Sequence, residues 1–492
     1  MKVSHTIDQI ELYSKEFDIF PLSTQIFSDN ITPIQALSIL KDTNTPCFLL
    51  ESAESQAGRY TFLGFKPTLE ISCLDGVTKI SKNGITSTFM DNNPNKHIQN
   101  IIDSYKSVKL EDLPPFTGGL VGYFAYDYAK YSEPTLVNIL KKEKGIDQDQ
   151  HFRDMDLMLF DKVIAFDNYK HTITIIANIS LSDLEKSHHE GLNSLHYIAN
   201  MLLNVKLVES KESYLKSDFD QLFTQEDFEK IVQKTKEYIY AGDIFQGVLS
   251  NIFWADFHGS LLNTYRVLRT INPSPYMFYF SGTHLEIAGA SPETLVKLEN
   301  GKLSTFPLAG TRPRGKTREE DLALEKELLA DEKEISEHNM LVDLGRNDLG
   351  KISRFGSVKV DKYMEILRFS HVMHIGSTVT SEILPNKTGL DAINAVLPAG
   401  TLSGAPKLRA MEIISELEKD KRGIYGGAVG YIDFTGNMDT CIAIRIAYKR
   451  GNKVYIRSGA GVVAGSDPAS EYQECINKAK GMKVALERSG EL

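Results

Sequence analysis

Apolar residues recur at helical spacing in several stretches of the chain. The clearest follows Thr224, where Phe228 and Ile239 fall on one face of a helix that a threonine can cap. A later stretch begins after Asp467, which can cap a helix, and Pro468 suits the first helical turn. These patterns predict amphipathic helices that each pack one face against a core.

Other stretches are short apolar runs separated by turn signals, which is typical of strands. The runs LMLFDKVIAF and HTITIIANI flank Asp-Asn-Tyr-Lys, and the runs TLVKL and KLSTF flank Asn300-Gly301. Residues 449–452 separate CIAIRIAY from KVYIRSG in the same way. Strands joined by hairpins, with helices in separate blocks, predict an α+β fold. We expect two intertwined subdomains with large antiparallel sheets packed in a sandwich and helices on the outside.

The length of the chain, 492 residues, is large for one hydrophobic core and favours two joined subdomains. The polar stretch Glu209–Asp220 is the least ordered-looking part of the sequence and marks the expected boundary. The predicted regions are therefore residues 1–215 and residues 220–492.

Composition narrows the class of protein. The net charge of −10 argues against nucleic acid or an anionic membrane surface as a partner, although local Arg and Lys side chains can still hold a small anion. No apolar run has the length of a signal-peptide core or a membrane span, and the four cysteines form no C-x-x-C pair. We expect a cytoplasmic protein with reduced cysteines.

Residues 310–317 read GTRPRGKT and match G-x-x-x-x-G-K-T, the phosphate-binding loop of nucleotide hydrolases. That loop usually lies in a parallel sheet, whereas hairpins dominate this chain. Pro313 has no N–H to donate to a phosphate, and Glu319 and Glu320 just downstream would repel one. The sequence therefore predicts no nucleotide site here.

Two helical stretches each carry glutamates three residues apart. Glu334 and Glu337 lie in DEKEISEHNML, and Glu471 and Glu474 lie in DPASEYQECINK, so each pair shares one helix face. Four carboxylates converging on one cleft would repel one another unless a hard cation such as Mg²⁺ lay between them. Spacing alone leaves the alternative open, because E-x-x-E pairs on helices usually face solvent.

Further positions could complete an anion site. The small-residue segments 398–407 (PAGTLSGAPK) and 458–463 (SGAGVV) offer backbone N–H groups, although each alone is also consistent with a tight turn. His371 and His374 could be metal ligands or buried structural residues, or one could make a catalytic contact. Glu293 is surrounded by small residues, where a carboxyl could keep a raised pKa and act as a general acid.

Together these stretches resemble the chorismate-utilising enzymes, in particular the anthranilate synthase component I family. The resemblance runs in order from Thr224 to the C-terminal helix, with two further segments in the N-terminal half. The segments are NPSPYMFY (272–279), GASPETLV (289–296), PLAGTRPRG (307–315), KEISEHNMLVDLGRNDL (333–349), SHVMHI (370–375), PAGTLSGAPK (398–407), YGGAVGY (425–431), EYQECINKA (471–479), LLES (49–52) and GRYTFLG (58–64). So many motifs in order make chance similarity an inadequate explanation.

The resemblance implies a lyase that converts chorismate and ammonia to anthranilate and pyruvate, the first step of tryptophan biosynthesis. It implies that Glu337 and Glu474 hold Mg²⁺ and that Glu334 and Glu471 support the ion through water. Glu293 matches the acid that protonates the departing hydroxyl group of chorismate.

The resemblance also assigns the remaining site residues. His374 matches the histidine of the aromatising half-reaction. The chorismate contacts carried over are Gly310, Thr311, Thr401, Tyr425, Arg445, Gly459, Ala460, Gly461 and Lys478. Arg445 and Lys478 supply the positive charge that the composition as a whole lacks.

Two positions distinguish the relatives from one another. Isochorismate and salicylate synthases carry a lysine base where this chain has Gln246, and an amide cannot serve as that base. Aminodeoxychorismate synthases carry a nucleophilic lysine where this chain has Ala309. Both positions favour anthranilate as the product. An aminodeoxychorismate synthase component I that has lost its lysine is the nearest alternative.

Regulation and a partner also follow from the resemblance. In the family the LLES and NPSPYM segments bind L-tryptophan as a feedback inhibitor, although the two segments could instead be a strand end and a turn. The inhibitor candidates are Glu51, Ser52, Pro275, Tyr276 and Met277.

No amidotransferase segment follows the helix of Glu474, so we expect ammonia from a separate glutamine amidotransferase subunit, component II, in a heterotetramer. A tryptophan-binding regulator without catalysis is a further alternative, which the retained catalytic set opposes.

Three departures from the family lie near the expected site. Gly465 stands where relatives usually have Asp, Ile446 stands where Thr is frequent, and Arg457-Ser458 stands where Gln-Ala is usual. We expect them to affect affinity and not the chemistry.

Overall fold

The structure is a computed structural model that describes residues 3–53, 58–140, 152–204, 211–368 and 372–492. The helices are α1 (Ile7–Glu11), α2 (Pro33–Asp42), α3 (Pro94–Asp103), α4 (Leu136–Ile139), α5 (Leu184–Leu203), α6 (Gln225–Tyr240), α7 (Leu262–Ile271), α8 (Arg318–Leu328), α9 (Glu332–Gly350), α10 (Gly389–Val396), α11 (Lys407–Leu417) and α12 (Pro468–Glu487). In these ranges no helix has both the length and the apolar character needed to cross a membrane.

Strands make up most of the remaining regular structure. They are β1 (Ile19–Phe27), β2 (Cys47–Glu51), β3 (Tyr60–Phe65), β4 (Leu69–Leu74), β5 (Val77–Lys82), β6 (Ile85–Met90), β7 (Gly119–Phe124), β8 (Met155–Phe160), β9 (Lys162–Asp167), β10 (Thr172–Ser180), β11 (Tyr214–Leu215), β12 (Asp220–Gln221), β13 (Gln246–His258), β14 (Tyr276–Ser281), β15 (Glu286–Ser291), β16 (Thr294–Glu299), β17 (Lys302–Thr305), β18 (Leu308–Pro313), β19 (Lys359–Arg368), β20 (Val372–Glu382), β21 (Gly404–Ala405), β22 (Ala428–Asp433), β23 (Met438–Ile442), β24 (Ile446–Arg450) and β25 (Lys453–Val462).

Two large sheets organise the chain. The first has the order β1-β10-β9-β3-β2-β14-β15-β24-β25-β13-β11, with β12 and β21 also paired to β13. The second has the order β18-β20-β17-β16-β23-β22-β7-β8-β4-β5-β6, with β19 also paired to β20. The ladders between these strands are antiparallel, which confirms the predicted α+β class.

The two sheets pack face to face across a layer of aromatic and aliphatic side chains. Phe48 and Phe278 of the first sheet meet Phe160 of the second in this layer, and the ring centroids of Phe48 and Phe160 are 4.7 Å apart. Helices α2, α5, α6, α7 and α12 cover the outer face of the first sheet, and α3, α9 and α10 cover that of the second. The predicted sandwich with helices outside is therefore confirmed.

Each sheet runs through both halves of the chain. In the first sheet β2 pairs with β14, so that Leu50 lies opposite Phe278; in the second, β7 pairs with β22, so that Val121 lies opposite Tyr431. Backbone hydrogen bonds thus join the two regions. The boundary between residues 1–215 and 220–492 stays a prediction, and residues 209 and 210 of the polar stretch lie outside the described ranges.

Two apolar runs that we expected to be single strands are each divided between the sheets. In LMLFDKVIAF the chain turns at Asp161, so β8 belongs to the second sheet and β9 to the first. In CIAIRIAY, β23 ends at Ile442 and β24 begins at Ile446 in the other sheet. The prediction of continuous strands was wrong because each crossover carries only a charged residue, Asp161 or Arg445, and neither Gly nor Pro marks the change of sheet.

The local turn and cap signals are confirmed. Thr224 caps α6 by accepting a hydrogen bond from the Asp227 N–H at 3.2 Å, and Asp467 caps α12 through the Ser470 N–H at 3.0 Å. Asn300 closes the β16–β17 hairpin with a φ of +53°, as a two-residue Asn-Gly turn requires.

Candidate active site

The predicted acid and the predicted arginine lie where the chain passes from one sheet to the other. Glu293 connects β15 to β16, and Arg445 connects β23 to β24. The N–H of Ala290 donates to the carbonyl of Arg445 at 3.1 Å, and the N–H of Ile442 donates to the carbonyl of Glu293 at 2.9 Å. These bonds tie the two crossovers together, so their side chains share one region.

Arg445 has a φ of +50°, a left-handed backbone that costs a residue with a Cβ about 1–2 kcal/mol. Such strain is common at functional sites, because it aims a side chain in a direction that regular structure does not allow. Among the described residues its guanidinium forms no ion pair. Desolvation lowers its pKa, and the through-space charge of Glu293 raises it. A partly buried guanidinium that forms no ion pair with the described residues is suited to bind a carboxylate ligand.

Glu293 has the electrostatics of a general acid. Desolvation raises the pKa of Glu293 to about 7, while a hydrogen bond from Thr401 and the charges of Lys478 and Arg445 lower it. The Thr401 hydroxyl donates to its Oε1 at 3.2 Å. The carboxyl can therefore hold a proton close to neutral pH and release it to a leaving group.

His374 lies on β20 and faces β18. Its Nδ1 is 2.9 Å from the carbonyl oxygen of Gly310 and 3.1 Å from the hydroxyl of Thr311. Because a carbonyl only accepts, Nδ1 carries the proton and Nε2 is the basic nitrogen. Desolvation lowers the pKa of His374 and the charge of Arg445 lowers it further, which favours the neutral ring. Gly310 has a φ of +65°, and a Cβ there would lie 2.8 Å from Leu328.

Residues 459–461 of the small-residue segment 458–463 lie on β25, which pairs with β13. A Cβ on Gly459 would lie 2.4 Å from the carbonyl oxygen of Leu249 and 2.9 Å from the hydroxyl of Tyr425. A Cβ on Gly461 would lie 2.7 Å from Nε2 of Gln246. Glycine is therefore required at 459, where the Leu249 carbonyl and Tyr425 approach closely, whereas the flexible Gln246 side chain could move away from a Cβ at 461.

The two glutamate pairs lie on α9 and α12 as predicted. Desolvation raises the pKa of Glu337, and the charges of Glu334 and Glu474 raise it further. Desolvation also raises the pKa of Glu471, and the charge of Glu474 contributes in the same direction. Carboxylates on the two helices thus act on one another. Lys478 lies beside this group, with its Nζ 2.6 Å from Oε1 of Glu474.

The donor set fits a hard cation that keeps water ligands. In the part of the chain that the structure describes, no three His, Cys, Asp or Glu side chains converge closely enough to hold a metal ion by themselves. One carboxylate from each helix would leave the other positions of Mg²⁺ to water, as that ion prefers. Oε2 of Glu471 is buried without a hydrogen-bond partner, which a metal-bound water would supply.

The two segments assigned to an inhibitor lie side by side. Glu51 at the end of β2 pairs with Met277 of β14, and the N–H of Ala53 donates to the carbonyl of Ser274 at 3.0 Å. These contacts bring Ser52 beside residues 275–277. The pairing satisfies the geometric condition for a shared ligand, and the role of the residues stays a prediction.

Two of these side chains also have structural partners. Glu51 accepts hydrogen bonds from the Tyr265 hydroxyl at 2.6 Å and from Nη2 of Arg269 at 3.0 Å. The hydroxyl of Tyr276 is 2.8 Å from that of Thr294, the residue after Glu293. The inhibitor segments are therefore connected to the crossover that carries the predicted acid.

The GTRPRGKT segment does not form a phosphate loop. Its first residues belong to β18, an antiparallel strand. The N–H of Gly315 donates to Oδ1 of Asp321 at 2.9 Å, and the N–H of Lys316 donates to Oε2 of Glu320 at 2.8 Å. Carboxylates thus accept the hydrogen bonds of the backbone N–H groups that a phosphate would need, in agreement with the sequence argument.

The positions that distinguish the relatives also lie at the site. Gln246 is buried at the start of β13 with its Nε2 3.4 Å from Oε1 of Glu337. Ala309 lies on β18 opposite Ile375. His371 lies outside the described residues.

Sequence reasoning missed a set of buried charges behind the site, which we call the four-charge cluster: Glu418, Asp420, Arg422 and Arg457. Three of them lie in ELEKDKR, a run of alternating charge that looks like a solvated surface. Arg457 offered the one usable signal, because it interrupts the apolar pattern of KVYIRSG and so predicts a buried acidic partner.

Comparison with known proteins identifies the family. Residues 45–484 match the family of chorismate binding enzymes. The chain is 43% identical to anthranilate synthase component 1 of Acetivibrio thermocellus over 99% of both chains, and 44% identical to that of Acinetobacter calcoaceticus over 97% of both.

Solved structures agree with the sequence relatives. The crystal structure of anthranilate synthase component I from Streptococcus pneumoniae TIGR4 superposes with a TM-score of 0.77 at 38% identity, covering 93% of this chain and 98% of that one. The menaquinone-specific isochorismate synthase from Escherichia coli shares the fold at 19% identity, with a TM-score of 0.68 over 98% of both chains. The chain therefore belongs to the chorismate-binding enzyme family, on the branch of anthranilate synthase component I.

Proposed function

We propose that this chain converts chorismate and ammonia to anthranilate and pyruvate. The observation that carries the proposal is the pairing of a proton-holding carboxyl, Glu293, with a cation, Arg445, that forms no ion pair among the described residues. A proton donor and a spare guanidinium at one place suit a substrate that carries carboxylates and a hydroxyl leaving group.

In the first half-reaction, Arg445 binds a carboxylate of chorismate and orients the ring. Glu293 donates its proton to the C4 hydroxyl, which departs as water while the nitrogen of ammonia forms a bond to C2 of the ring. The bond from Thr401 fixes the Glu293 carboxyl for this transfer.

In the second half-reaction, Nε2 of His374 accepts the proton from C2. The ring becomes aromatic as the bond between the ring and the enolpyruvyl oxygen breaks. The released group takes a proton at its methylene carbon and leaves as pyruvate. The bond from Nδ1 to the Gly310 carbonyl holds the imidazole in the required tautomer.

The acid pairs of α9 and α12 support a requirement for Mg²⁺, which when bound would neutralise a carboxylate of the substrate. Glu337 and Glu474 would hold the ion, with Glu334 and Glu471 acting through water. The mutual charge effects among these side chains and the unpartnered Oε2 of Glu471 support this assignment.

The product and the partner follow from two kinds of support. Gln246 offers no base to activate water and Ala309 offers no amine nucleophile, so ammonia is the expected nucleophile and anthranilate the expected product. The relatives are named component 1, which implies a second component. We infer a separate glutamine amidotransferase subunit that delivers ammonia within a heterotetramer.

Feedback inhibition by L-tryptophan is part of the proposal. The adjacent positions of Glu51 and Met277, and the link from Tyr276 to Thr294, support a ligand site that communicates with Glu293. Binding that shifts β14 would move the crossover that carries the acid.

The test is an assay of the purified chain with chorismate, MgCl₂ and an ammonium salt at alkaline pH, followed by anthranilate fluorescence and by pyruvate release. We expect fluorescence that is lost with EDTA, restored by excess Mg²⁺ and reduced by L-tryptophan. Formation of aminodeoxychorismate without pyruvate would contradict the product assignment. Absence of chorismate consumption would contradict the activity itself.

A further inference from the structure

The four-charge cluster lies directly behind the proposed site. Arg422 donates to both carboxylate oxygens of Glu418, from Nη2 at 2.6 Å and from Nε at 3.0 Å. Arg457 donates from Nη2 to Asp420 at 2.6 Å and lies 3.4 Å from Glu418. All four side chains are buried, and their formal charges cancel. The cluster is therefore closed, in the sense that its charges are neutralised within it and no ligand is needed to balance them.

Arg422 also reaches three segments that form the proposed site. Its Nη1 donates to the carbonyl of Leu402, and its Nη2 donates to the carbonyl of Val248 on β13. Its guanidinium carbon lies 5.9 Å from the ring centroid of Tyr425. One planar group thus contacts the turn at 400–402, the start of β13 and an aromatic side chain of the site.

The turn at 400–402 is the support of the catalytic acid. Leu402 follows Thr401, whose hydroxyl donates to Glu293 at 3.2 Å. We propose that Arg422 is a positioning residue that sets the distance from Thr401 to Glu293 by holding the carbonyl of Leu402. This inference rests on the proposed chorismate chemistry, because Glu293 has a task only in that reaction.

Arginine is suited to this role by shape as well as charge. The guanidinium fork donates in one plane to a carboxylate and to two carbonyls at once, whereas an ammonium group is a compact point charge. R422K therefore keeps the charge beside Glu418 and loses the simultaneous bonds to Leu402 and Val248. Arg457 provides a matched control, since it is equally buried in the same cluster and makes no bond to Leu402.

The experiment measures kcat against pH at saturating chorismate and Mg²⁺, with the concentration of unprotonated ammonia held constant. The groups that face Glu293 are Thr401, Arg445 and Lys478. The bond from Thr401 lowers the pKa of Glu293, so weakening it lets the acid form persist to higher pH. We expect T401V to move the alkaline limb upward by about half a pH unit or more, and T401S, which keeps the hydroxyl, to leave it in place.

We expect R422K to move the limb in the same direction as T401V and to lower kcat about tenfold, with R457K leaving the limb unmoved. The double variant R422K/T401V should shift no further than T401V alone, because both changes act on one bond. Urea unfolding of each variant accounts for stability. Should R422K not fold, E418Q is the second variant. It keeps an acceptor for Arg422 and should shift the limb upward by less than is expected for R422K.

Three outcomes would overturn the positioning role. They are an R422K profile identical to the wild type, an equal shift in R457K, and additive shifts in the double variant. A wild-type chain that consumes no chorismate would overturn the proposed function instead, so the two failures are distinguishable.

Discussion

Two arginine–glutamate pairs in this molecule are built from the same residue types and differ in how they are joined. Arg422 and Glu418 are linked by two direct hydrogen bonds, whereas Arg445 and Glu293 affect each other's pKa through space without an ion pair. The first pair is closed and can only hold its surroundings in place. The second pair is open and keeps both a cation and a proton for a substrate.

The position of each pair in the fold explains the difference. The open pair lies at crossovers, where strands of one sheet end and strands of the other begin. Side chains there are not confined to one face of a sheet. The closed pair follows α11 and is hydrogen-bonded to β13, the strand that pairs with residues 459–461. The comparison indicates that side chains at crossovers are left available for a ligand, whereas those of the buried cluster are held by one another.

Breaking the open pair should have the largest effect on activity. In R445M we expect kcat/KM for chorismate to fall about 10²- to 10³-fold, because the carboxylate loses a bidentate partner. The free energy of unfolding should stay level or rise, since desolvation of an unpaired cation is removed. Chorismate kinetics and urea unfolding measure the two quantities. Activity within tenfold of the wild type would show that Arg445 is not the anchor.

Breaking the closed pair should show the opposite pattern. R422M leaves Glu418 charged, buried and without its main partner, so the free energy of unfolding should fall by about 3–5 kcal/mol. Urea unfolding monitored by circular dichroism measures this loss, and R445M is the control. A loss below about 1 kcal/mol would mean that the pair does not stabilise the fold.

Replacing Glu293, the acid of the open pair, by glutamine should raise the stability of the fold at alkaline pH and lower the activity. The pKa of Glu293 rises from 4.5 to about 7 on folding. The folded state therefore binds more protons between these pH values, and stability falls as pH rises from about 4.5 to about 7. At about 1.4 kcal/mol per pKa unit, E293Q should be more stable than the wild type by about 3 kcal/mol at pH 8 and equal to it near pH 4.

The same variant should lose activity, since an amide cannot donate the proton, and kcat should fall about 10²-fold or more. Urea unfolding at pH 4 and pH 8, beside the anthranilate assay, measures both effects. A constant stability difference at the two pH values would show that Glu293 does not titrate in this window.

Much of the fold could be predicted from local signals. Thr224 and Asp467 begin their helices because their side chains accept from backbone N–H groups, and Asn300 turns its hairpin because it tolerates a positive φ. The passage of a strand from one sheet to the other at Asp161 and near Arg445 could not be predicted. Only charged residues, Asp161-Lys162 in one case and Arg445 in the other, mark these crossovers between apolar segments. A charged residue inside an apolar run does not distinguish a crossover from a polar position in one continuous strand.

The positions of the candidate site residues can also be compared with the sequence, while their roles stay predictions. The resemblance named Glu293 and Arg445, and the structure brings them together at linked crossovers. The cluster behind them was not predicted, because Glu418 and Arg422 are four residues apart among other charges and read as an exposed helix face. Burial is decided by the strands that pack over them, and local sequence does not contain that information.

The smallest predicted effect concerns the outer half of the closed cluster. Asp420 is the direct partner of Arg457, with its Oδ2 2.6 Å from Nη2. R457Q alone removes the guanidinium partner of the buried Asp420 carboxylate and should cost about 3 kcal/mol of unfolding free energy, whereas R457Q with D420N removes both charges and should cost less than about 1 kcal/mol. The difference between the single and the double variant in urea unfolding measures the coupling of the pair. If both variants lost the same free energy, Arg457 and Asp420 would not be energetically coupled. Only Arg422 and Glu418 would then form a closed pair to compare with Arg445 and Glu293.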